Sequence, residues 1–401
     1  MIEGILLALL LLAAAVFLLA LLVQGLIGLL HKAKKKPSAK LAARAKRTAV
    51  FLCGTLVVIF GLIAFSQFLA RTPEIVSESG SAAKGSIAEL RRVELNGRKE
   101  YISIRGQNAQ NPVLLFLAGG PGGSQMAAVR YDLAALEKDF VVVNWDQPGA
   151  GKSYYAAPIK GLTVDTYIED GYALTEYLCD TFKREKIYLV GESWGSALGI
   201  FLVSRYPERY HAFVGTGQMV DFVETEILDY NKAMALAQEK GSTKVIKALK
   251  NNGAPPYYGA DVIWKSAEYL NFLSAVMSRN PEIQNAGFNT LRDLFAPEYG
   301  ILDKINYLRG VIDTFNHVYP QLYDTDLRES YKDIAVPVYF FIGRHDINAP
   351  TALAEDYYNV LNAPVKRLVW FEHSGHNPWI NESGRFVREL LKVKAETVQQ
   401  S

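Results

Sequence analysis

The stretch KIYLVGESWGS, residues 186–196, decides the fold of this 401-residue chain. Residues 186–190 form a short β-rich run, and the residues after Gly195 continue as a helix-like run. A Gly-x-Ser-x-Gly pattern between a strand and a helix places its serine on a sharp turn that exposes the hydroxyl group. The small Gly191 and Gly195 permit the close approach that this turn requires. The stretch predicts a nucleophilic Ser193, and an ordinary glycine-rich turn is the alternative interpretation.

Short β-rich runs separated by helix-like runs extend on both sides of this stretch. They cover residues 101–105, 113–117, 140–145, 211–216, 336–342 and 367–371. Such alternation is typical of a mostly parallel sheet flanked by helices. It assigns residues 86–217 and 334–401 to one α/β core.

Residues 218–333 interrupt this alternation with helix-like runs, aromatic residues and no convincing strand. The pattern predicts a helical cap inserted before the last strands. Asp221 and Glu224 have the spacing of a capping box at the start of the first cap helix, and Gly241 is placed to end it.

A serine hydroxyl needs a neighbouring base to attack a carbonyl group, and that base needs a carboxylate to orient it. With this kind of turn the chain order is serine, acid, histidine. Asp346 follows the run 336–342 and is the predicted acid, although aspartate also favours turns for local reasons. After the last strand, His376 is preferred as the base over His373, because Gly375 gives it backbone freedom.

The negatively charged oxygen of a tetrahedral intermediate needs two backbone N–H donors. One belongs to the residue after the nucleophile, and the other comes from the loop after an early strand. Trp194 is the first predicted donor. The second is expected in the glycine-rich run 119–123, where Pro121 has no N–H group, and Gly120 is the predicted donor. A plain glycine-rich turn is the alternative interpretation of this run.

The N-terminal region, residues 1–70, is predicted to be a membrane anchor. Residues 5–30 and 49–70 are almost wholly apolar and long enough to cross a bilayer, and a basic loop, residues 31–47, lies between them. A signal peptide is a poorer interpretation of the first run, since basic residues follow it instead of preceding it. Basic loops stay in the cytoplasm. We therefore expect a two-helix, multi-pass protein of the cell membrane with an extracellular catalytic domain after a flexible linker, residues 71–85.

Composition narrows the classes of function further. Charged residues make up 21% of the chain and hydrophobic residues 50%, which suits a globular protein with membrane-embedded sequence. Eight Lys and Arg residues lie between positions 32 and 47, so the formal net charge of +2 leaves −6 for the rest of the chain. A nucleic-acid partner is therefore not expected. The sequence has no metal-binding or nucleotide-binding motif, and no cofactor is expected.

Three segments of the chain resemble the α/β-hydrolase superfamily and, within it, the prolyl iminopeptidase branch. Residues 118–123 are similar to the family's His-Gly-Gly-Pro-Gly oxyanion motif, with Ala118 in place of the histidine. Residues 146–153 resemble its Asp-Gln-Arg-Gly-x-Gly-x-Ser stretch, with Pro148 replacing arginine. Residues 191–196 resemble its Gly-Gly-Ser-Trp-Gly-Ser motif, with Glu192 replacing glycine.

The resemblance implies a serine aminopeptidase that removes an N-terminal residue, often proline, from short peptides. In that family acidic cap residues hold the free amino group of the substrate, and Glu224 and Glu226 lie in a comparable region. Glu224 has a second interpretation as the capping-box residue. The aromatic Tyr257, Tyr258 and Trp264 are candidates for the wall of an apolar pocket or for simple core packing.

Three functions remain open from the sequence. The first is a membrane-anchored aminopeptidase of the prolyl iminopeptidase type, acting on small molecules or short peptides. The second is a carboxylesterase or lipid-directed hydrolase, which needs no acid to bind an amine. The third is a catalytically inactive surface binding protein, against which the presence of Ser193, Asp346 and His376 together argues.

Overall fold

The computed structural model describes residues 2–76, 80–81, 83–285 and 287–398. The chain divides into two compact units. We call Met1–Ala70 together with Tyr299–Lys304 the N-terminal unit, and Arg71–Glu298 together with Ile305–Ser401 the sheet unit.

Two long helices build most of the N-terminal unit: α1 (Ile2–Ala33) and α2 (Ala39–Leu69). Among the described residues, these are the two helices long and apolar enough to cross a membrane. They pack as a hairpin in which the rings of Phe17 and Phe51 stack with their centres 5.8 Å apart. Elsewhere their apolar side chains are exposed, as at Leu22 and Phe60, which are 65% and 75% exposed.

The predicted basic loop, residues 31–47, is mostly helical. The two helices are separated only between Ala33 and Ala39, so Lys40 and Arg44 lie in the first turns of α2. Alanine, lysine and arginine are strong helix formers, and Pro37 is the one residue in the segment that opposes a helix. Charge alone therefore led to the wrong local structure here.

The sheet unit is organised around one β-sheet. Its described residues form eight strands in the order β1-β2-β4-β3-β5-β6-β7-β8. The strands β1 and β2 pair antiparallel with each other and β2 pairs antiparallel with β4, whereas all the other pairs are parallel. The strand bounds are Ile87–Leu95, Arg98–Gly106, Val113–Leu117, Val141–Asp146, Ile187–Glu192, Tyr210–Thr216, Val338–Gly343 and Lys366–Phe371, for β1 to β8 in chain order. The predicted α/β-hydrolase fold class is confirmed.

The first strand was missed by the sequence analysis. It forms a hairpin with β2 through Asn96 and Gly97, whose φ angles are 48° and 78°. An Asn-Gly pair with both φ angles positive is the strongest short-range signal of a two-residue hairpin. The dipeptide was therefore an available clue that would have predicted the strand.

Helices cover both faces of the sheet and bury its alternating side chains. Leu115 and Val143 join one apolar cluster, and their chain neighbours Leu114 and Val142 join the other. The helices α4, α5 and α12 contribute to the first cluster, while α3, α13 and α14 contribute to the second. These helices are α3 (Met126–Asp132), α4 (Val164–Phe182), α5 (Trp194–Arg205), α12 (Thr351–Val360), α13 (Pro378–Asn381) and α14 (Ser383–Val398).

Between β6 and β7 the described residues form helices and no strand, which is the region predicted as a cap. These helices are α6 (Phe222–Glu239), α7 (Thr243–Asn252), α8 (Val262–Met277), α9 (Thr290–Leu294), α10 (Ile301–Val318) and α11 (Leu327–Ser330). The N–H group of Glu224 donates to Asp221 Oδ1 at 2.7 Å, so Asp221 caps α6 as predicted. Gly241, with a φ of 64°, follows the end of that helix.

Part of the predicted linker, residues 71–85, is bound to the sheet unit. The Arg71 N–H group donates to the Pro297 carbonyl, and the Arg105 guanidinium donates to the hydroxyl of Thr72. Arg105 also forms a buried ion pair with Glu137 at 2.6 Å. The first residues of the segment are therefore fixed, in contrast to the predicted flexible tether. Residues 77–79 and 82 lie outside the described residues.

Replacing Arg105 with methionine should lower the free energy of unfolding by about 3–5 kcal/mol, because Glu137 would keep a buried charge with no partner. Chemical denaturation of the full-length protein in detergent, followed by fluorescence, measures the change. Arg91→Met is the matched control, since the Arg91–Glu89 ion pair is partly exposed and should contribute less than about 1 kcal/mol. Equal effects of the two substitutions would contradict the role assigned to burial.

Candidate active site

Ser193 lies on the sharp turn that joins β5 to α5. Its φ and ψ angles are 54° and −123°, a conformation that a residue with a side chain adopts only under strain. A Cβ atom on Gly191 would lie 2.6 Å from the carbonyl carbon of Gly195, and one on Gly195 would lie 2.7 Å from that of Leu117. Only glycine fits at both places, so the strand and helix can meet behind the serine.

Hydrogen bonds hold this turn in place. The Ser193 N–H group donates to the Thr216 carbonyl at 3.0 Å. The Ser193 carbonyl accepts bonds from the N–H and the hydroxyl of Ser196, at 2.8 and 2.6 Å. The backbone of the strained residue is therefore fully bonded, which leaves its side chain as the free part of the turn.

His376 and Asp346 are in direct contact. The His376 Nδ1 atom donates to Asp346 Oδ2 at 2.9 Å, and Asp346 Oδ1 accepts bonds from the N–H groups of Asn348 and Ala349 at 2.9 and 3.0 Å. Because Nδ1 is engaged with the carboxylate, Nε2 is the nitrogen left to exchange a proton. His376 and Ser193 border one cavity, whereas His373 is exposed and contacts the Glu282 carbonyl.

This cavity has a volume of about 250 Å³, and Gly120 and Trp194, the predicted backbone donors, also border it. We call it the acidic cavity, since Glu226 and Asp229 lie in its wall. Trp194 is the first residue of α5, so its N–H group has no partner within the helix. The Gly119 N–H group donates to Glu192, which leaves Gly120 as the next donor of its loop.

Glu192 brings a buried carboxylate to the centre of the site. It accepts a bond from Gln125 Nε2 at 2.8 Å, and its Oε1 atom lies 3.6 Å from His376 Nε2. Burial raises the pKa of Glu192, while the charge of His376 and the bonds from Gln125 and Gly119 oppose the rise. In the sequence Glu192 is a departure from the family motif, and that departure was the available signal for its place in the site.

The pKa of His376 depends on these acids. Burial lowers the pKa of the imidazole, but the carboxylate of Asp346, together with Glu192 and Asp229, outweighs burial and raises it to about 9. Anions close to an imidazole stabilise its protonated form. The neutral form, which can accept a proton, is therefore favoured only at alkaline pH.

Two cap acids on α6 border the acidic cavity. Glu226 is buried and accepts bonds from the hydroxyl groups of Tyr269, Tyr319 and Ser266. Asp229 is also buried, yet neither of its carboxylate oxygens has a hydrogen-bond partner among the described residues. Burial raises the pKa of Asp229 well above its usual value, and the nearby Glu226 raises it further.

Asp229 was missed by the sequence analysis, and Glu224 was misplaced by it. Glu224 forms an ion pair with Arg328 at 2.5 Å, and its side chain is 44% exposed. It is not among the described residues that border the acidic cavity. Residues two apart on a helix do not share a face, whereas residues three apart do. Helical spacing from Glu226 thus pointed to Asp229 and away from Glu224.

A second cavity, with a volume of about 620 Å³, borders Ser193 and Glu192. We call it the apolar cavity, because Ile263, Trp264 and Val311 lie in its wall. Of the aromatic candidates, Trp264 is therefore at the site. Tyr257 is buried in the core, and Tyr258 is 66% exposed.

Comparison with known proteins agrees with this architecture. The profile of the alpha/beta hydrolase fold family matches residues 112–255. The chain is 32% identical over 320 residues to the probable aminopeptidase YbaC of Bacillus subtilis, covering 77% of this chain and 97% of that protein. It is also 32% identical over 303 residues to the proline iminopeptidase of Lactobacillus crispatus, covering 74% and 94% of the two chains.

Among solved structures, the proline iminopeptidase of Mycobacterium smegmatis matches with a TM-score of 0.56 and 17% identity. The match covers 78% of this chain and all of that one. The chain therefore belongs to the α/β-hydrolase family, and it resembles the prolyl iminopeptidases within it. It is an enzyme of the hydrolase class.

Replacing Glu192 with glutamine should make the enzyme active at lower pH. If His376 is the general base, kcat/KM for a neutral ester rises as His376 loses its proton, and the raised pKa places that rise on the alkaline side. The substitution keeps the shape of residue 192 and removes its charge, so the acid limb of the profile should move down by about one unit or less. Steady-state kinetics as a function of pH measures the shift.

An uncharged ester is the substrate for this measurement, because it has no amino group that titrates in the same range. An unchanged acid limb would mean that Glu192 is already neutral where His376 titrates. The effect of burial, which raises the pKa of Glu192, would then outweigh the effect of the nearby imidazole, which lowers it.

Proposed function

We propose that this hydrolase is an aminopeptidase that works through an acyl-enzyme intermediate. The Ser193 hydroxyl attacks the scissile carbonyl carbon while His376 Nε2 takes its proton and Asp346 holds the imidazole. The N–H groups of Gly120 and Trp194 stabilise the oxyanion. His376 then gives the proton to the leaving nitrogen as the carbon–nitrogen bond breaks, and a water molecule releases the acyl group by the same steps in reverse.

The unpartnered carboxylate of Asp229 carries the proposal of an amine substrate. A buried polar group without a hydrogen-bond partner is rare, and such a group calls for a functional explanation. An ammonium group in the acidic cavity would pair with Asp229 and favour its charged form. Glu226 is already bonded to three hydroxyl groups. We therefore assign the direct contact with the ammonium group to Asp229, and we assign to Glu226 a second negative charge in the same site.

The names of the similar proteins support the same substrate class. The relative from Bacillus subtilis is named a probable aminopeptidase, and the one from Lactobacillus crispatus is named a proline iminopeptidase. Both names describe removal of an N-terminal residue with a free amino group. We therefore propose short peptides or small amino-acid amides as substrates.

Replacing Asp229 with asparagine should lower kcat/KM for alanine and proline naphthylamides by about 10- to 100-fold, the effect of losing one charge-assisted hydrogen bond. At an alkaline pH where the rate no longer depends on the titration of His376, the same variant should hydrolyse a simple ester, which has no amine, at close to the wild-type rate. Glu224→Gln is the matched control and should change neither activity, since Glu224 is paired with Arg328. Equal losses on both substrates would remove Asp229 from amine recognition.

The second candidate is a carboxylesterase or lipid-directed hydrolase. It is favoured by the apolar cavity, whose volume of about 620 Å³ suits an acyl chain. Rapid ester cleavage with no turnover of either naphthylamide would support this function over the aminopeptidase. Failure of Ser193 to react with a fluorophosphonate probe would instead favour an inactive binding protein.

We propose that α1 and α2 anchor the enzyme in the cell membrane with the sheet unit outside. The two helices have the length and apolar composition that spanning requires. The basic residues between the two helices and in the first turns of α2 favour a cytoplasmic position for the hairpin turn. Lipid acyl chains would then surround the exposed apolar side chains of the hairpin.

Protease treatment of intact cells tests this topology. We expect the sheet unit to be removed from intact cells, because the proposed arrangement leaves it accessible from outside. A tag placed at residues 34–38, between the helices, should survive. Protection of the sheet unit until the cells are lysed would reverse the proposed orientation.

A further inference from the structure

A third cavity also borders His376, and it adjoins the acidic and apolar cavities, with which it shares wall residues. Its volume is about 410 Å³, and Ser193 is not among the described residues of its wall. We call it the amide groove, because five asparagine side chains line it. They are Asn271, Asn285, Asn348, Asn377 and Asn381.

Two of these asparagines are used to build the wall. Asn381 Nδ2 donates to the side-chain and backbone oxygens of Asn285, each at 3.1 Å, and Asn381 Oδ1 accepts from the Gly375 N–H group. Asn285 Nδ2 donates in turn to the Ile380 carbonyl at 2.9 Å. These bonds tie the cap segment at Asn285 to the loop that carries His376, so the wall is preorganised.

Two other asparagines of this wall have unused bonding capacity. The carboxamide oxygens of Asn348 and Asn377 are buried and accept no hydrogen bond from any described residue. Asn348 Nδ2 donates to Ser274, which holds that side chain in place. A buried acceptor without a donor costs about 1–3 kcal/mol, and a ligand N–H group would offset this cost.

The position of the groove indicates which part of a substrate it receives. In the proposed reaction, His376 gives its proton to the leaving nitrogen, so that nitrogen must come within hydrogen-bond distance of the imidazole. The amino group of the substrate is assigned to the acidic cavity, which borders Ser193. The amide groove borders His376, and Ser193 is not among its described residues. It therefore lies where the leaving part of the substrate begins, just beyond the scissile bond.

We propose that the amide groove binds the main chain of the leaving peptide, an inference that rests on the proposed aminopeptidase function. Peptide groups alternate N–H donors and carbonyl acceptors, and carboxamide side chains supply both partners without charge. His376 is the one ionisable side chain among the described residues of the wall, with no lysine or arginine there to pair with a carboxylate. The preferred substrates are therefore peptides of three or more residues, and a dipeptide, whose carboxylate would enter the groove, is a poor substrate.

The test compares kcat/KM of the full-length protein for Ala-Ala-Ala-amide, Ala-Ala and alanine naphthylamide. We expect the tripeptide amide to be cleaved at least about tenfold more efficiently than the dipeptide. The dipeptide carboxylate would find no lysine or arginine among the described wall residues, and beside His376 it would stabilise the protonated imidazole, which cannot act as a base. In Asn377→Ala and, separately, Asn348→Ala, the ratio of tripeptide to naphthylamide efficiency should fall by about fivefold for one lost hydrogen bond. Asn359→Ala is the control, since Asn359 is exposed on α12.

The outcomes separate this inference from the function on which it rests. No turnover of any free-amine substrate would overturn the aminopeptidase proposal and the groove with it. Normal naphthylamide turnover with an unchanged ratio in both variants would overturn the groove alone. A loss of the same proportion on both substrates would also overturn it, because the asparagines would then only position His376.

Discussion

The close approach of β5 and α5 is the constraint on which the rest of this site depends. Glycine at 191 and at 195 lets the strand and helix meet, and the resulting turn holds Ser193 at a φ of 54°. The strain is tolerated because the backbone of that residue is bonded to Thr216 and Ser196. Every other proposed group, whether base, acid or oxyanion donor, is placed relative to the hydroxyl that this turn presents.

Three carboxylic acids act on the imidazole of His376. Asp346 contacts Nδ1, Glu192 lies 3.6 Å from Nε2, and Asp229 also acts on its pKa. In the proposed reaction these acids would favour a cationic substrate, yet they also stabilise the protonated imidazole, which cannot accept a proton. Burial moderates the conflict, since it raises the pKa of Glu192 and Asp229 and so favours their neutral forms. A bound ammonium group would restore the charge at Asp229 only when substrate is present.

Several failures of sequence interpretation have identifiable physical causes. The hairpin at Asn96 and Gly97 carried a turn signal that was not used, so β1 was missed. The basic segment before residue 48 was assigned to a loop from its charge, although its residues are strong helix formers. Glu224 was proposed together with Glu226 because both lie in the region where the resembled family has its acidic cap residues. The helical repeat of α6 instead places Asp229 and Glu226 together at the acidic cavity, while Glu224 forms an ion pair with Arg328.

Local sequence determined the elements of this protein. Strand and helix periodicity and the Gly-x-Ser-x-Gly turn depend on residues close together in the chain. The chain order of Ser193, Asp346 and His376 follows the known order of one fold. Only the tertiary structure decided which acids enter the site. Glu192 is buried against Gln125, Asp229 has no hydrogen-bond partner among the described residues, and asparagines line a cavity beside His376. Each of these features depends on segments that are far apart in the chain. A one-dimensional pattern cannot specify such contacts, because burial and pairing depend on how separate elements pack.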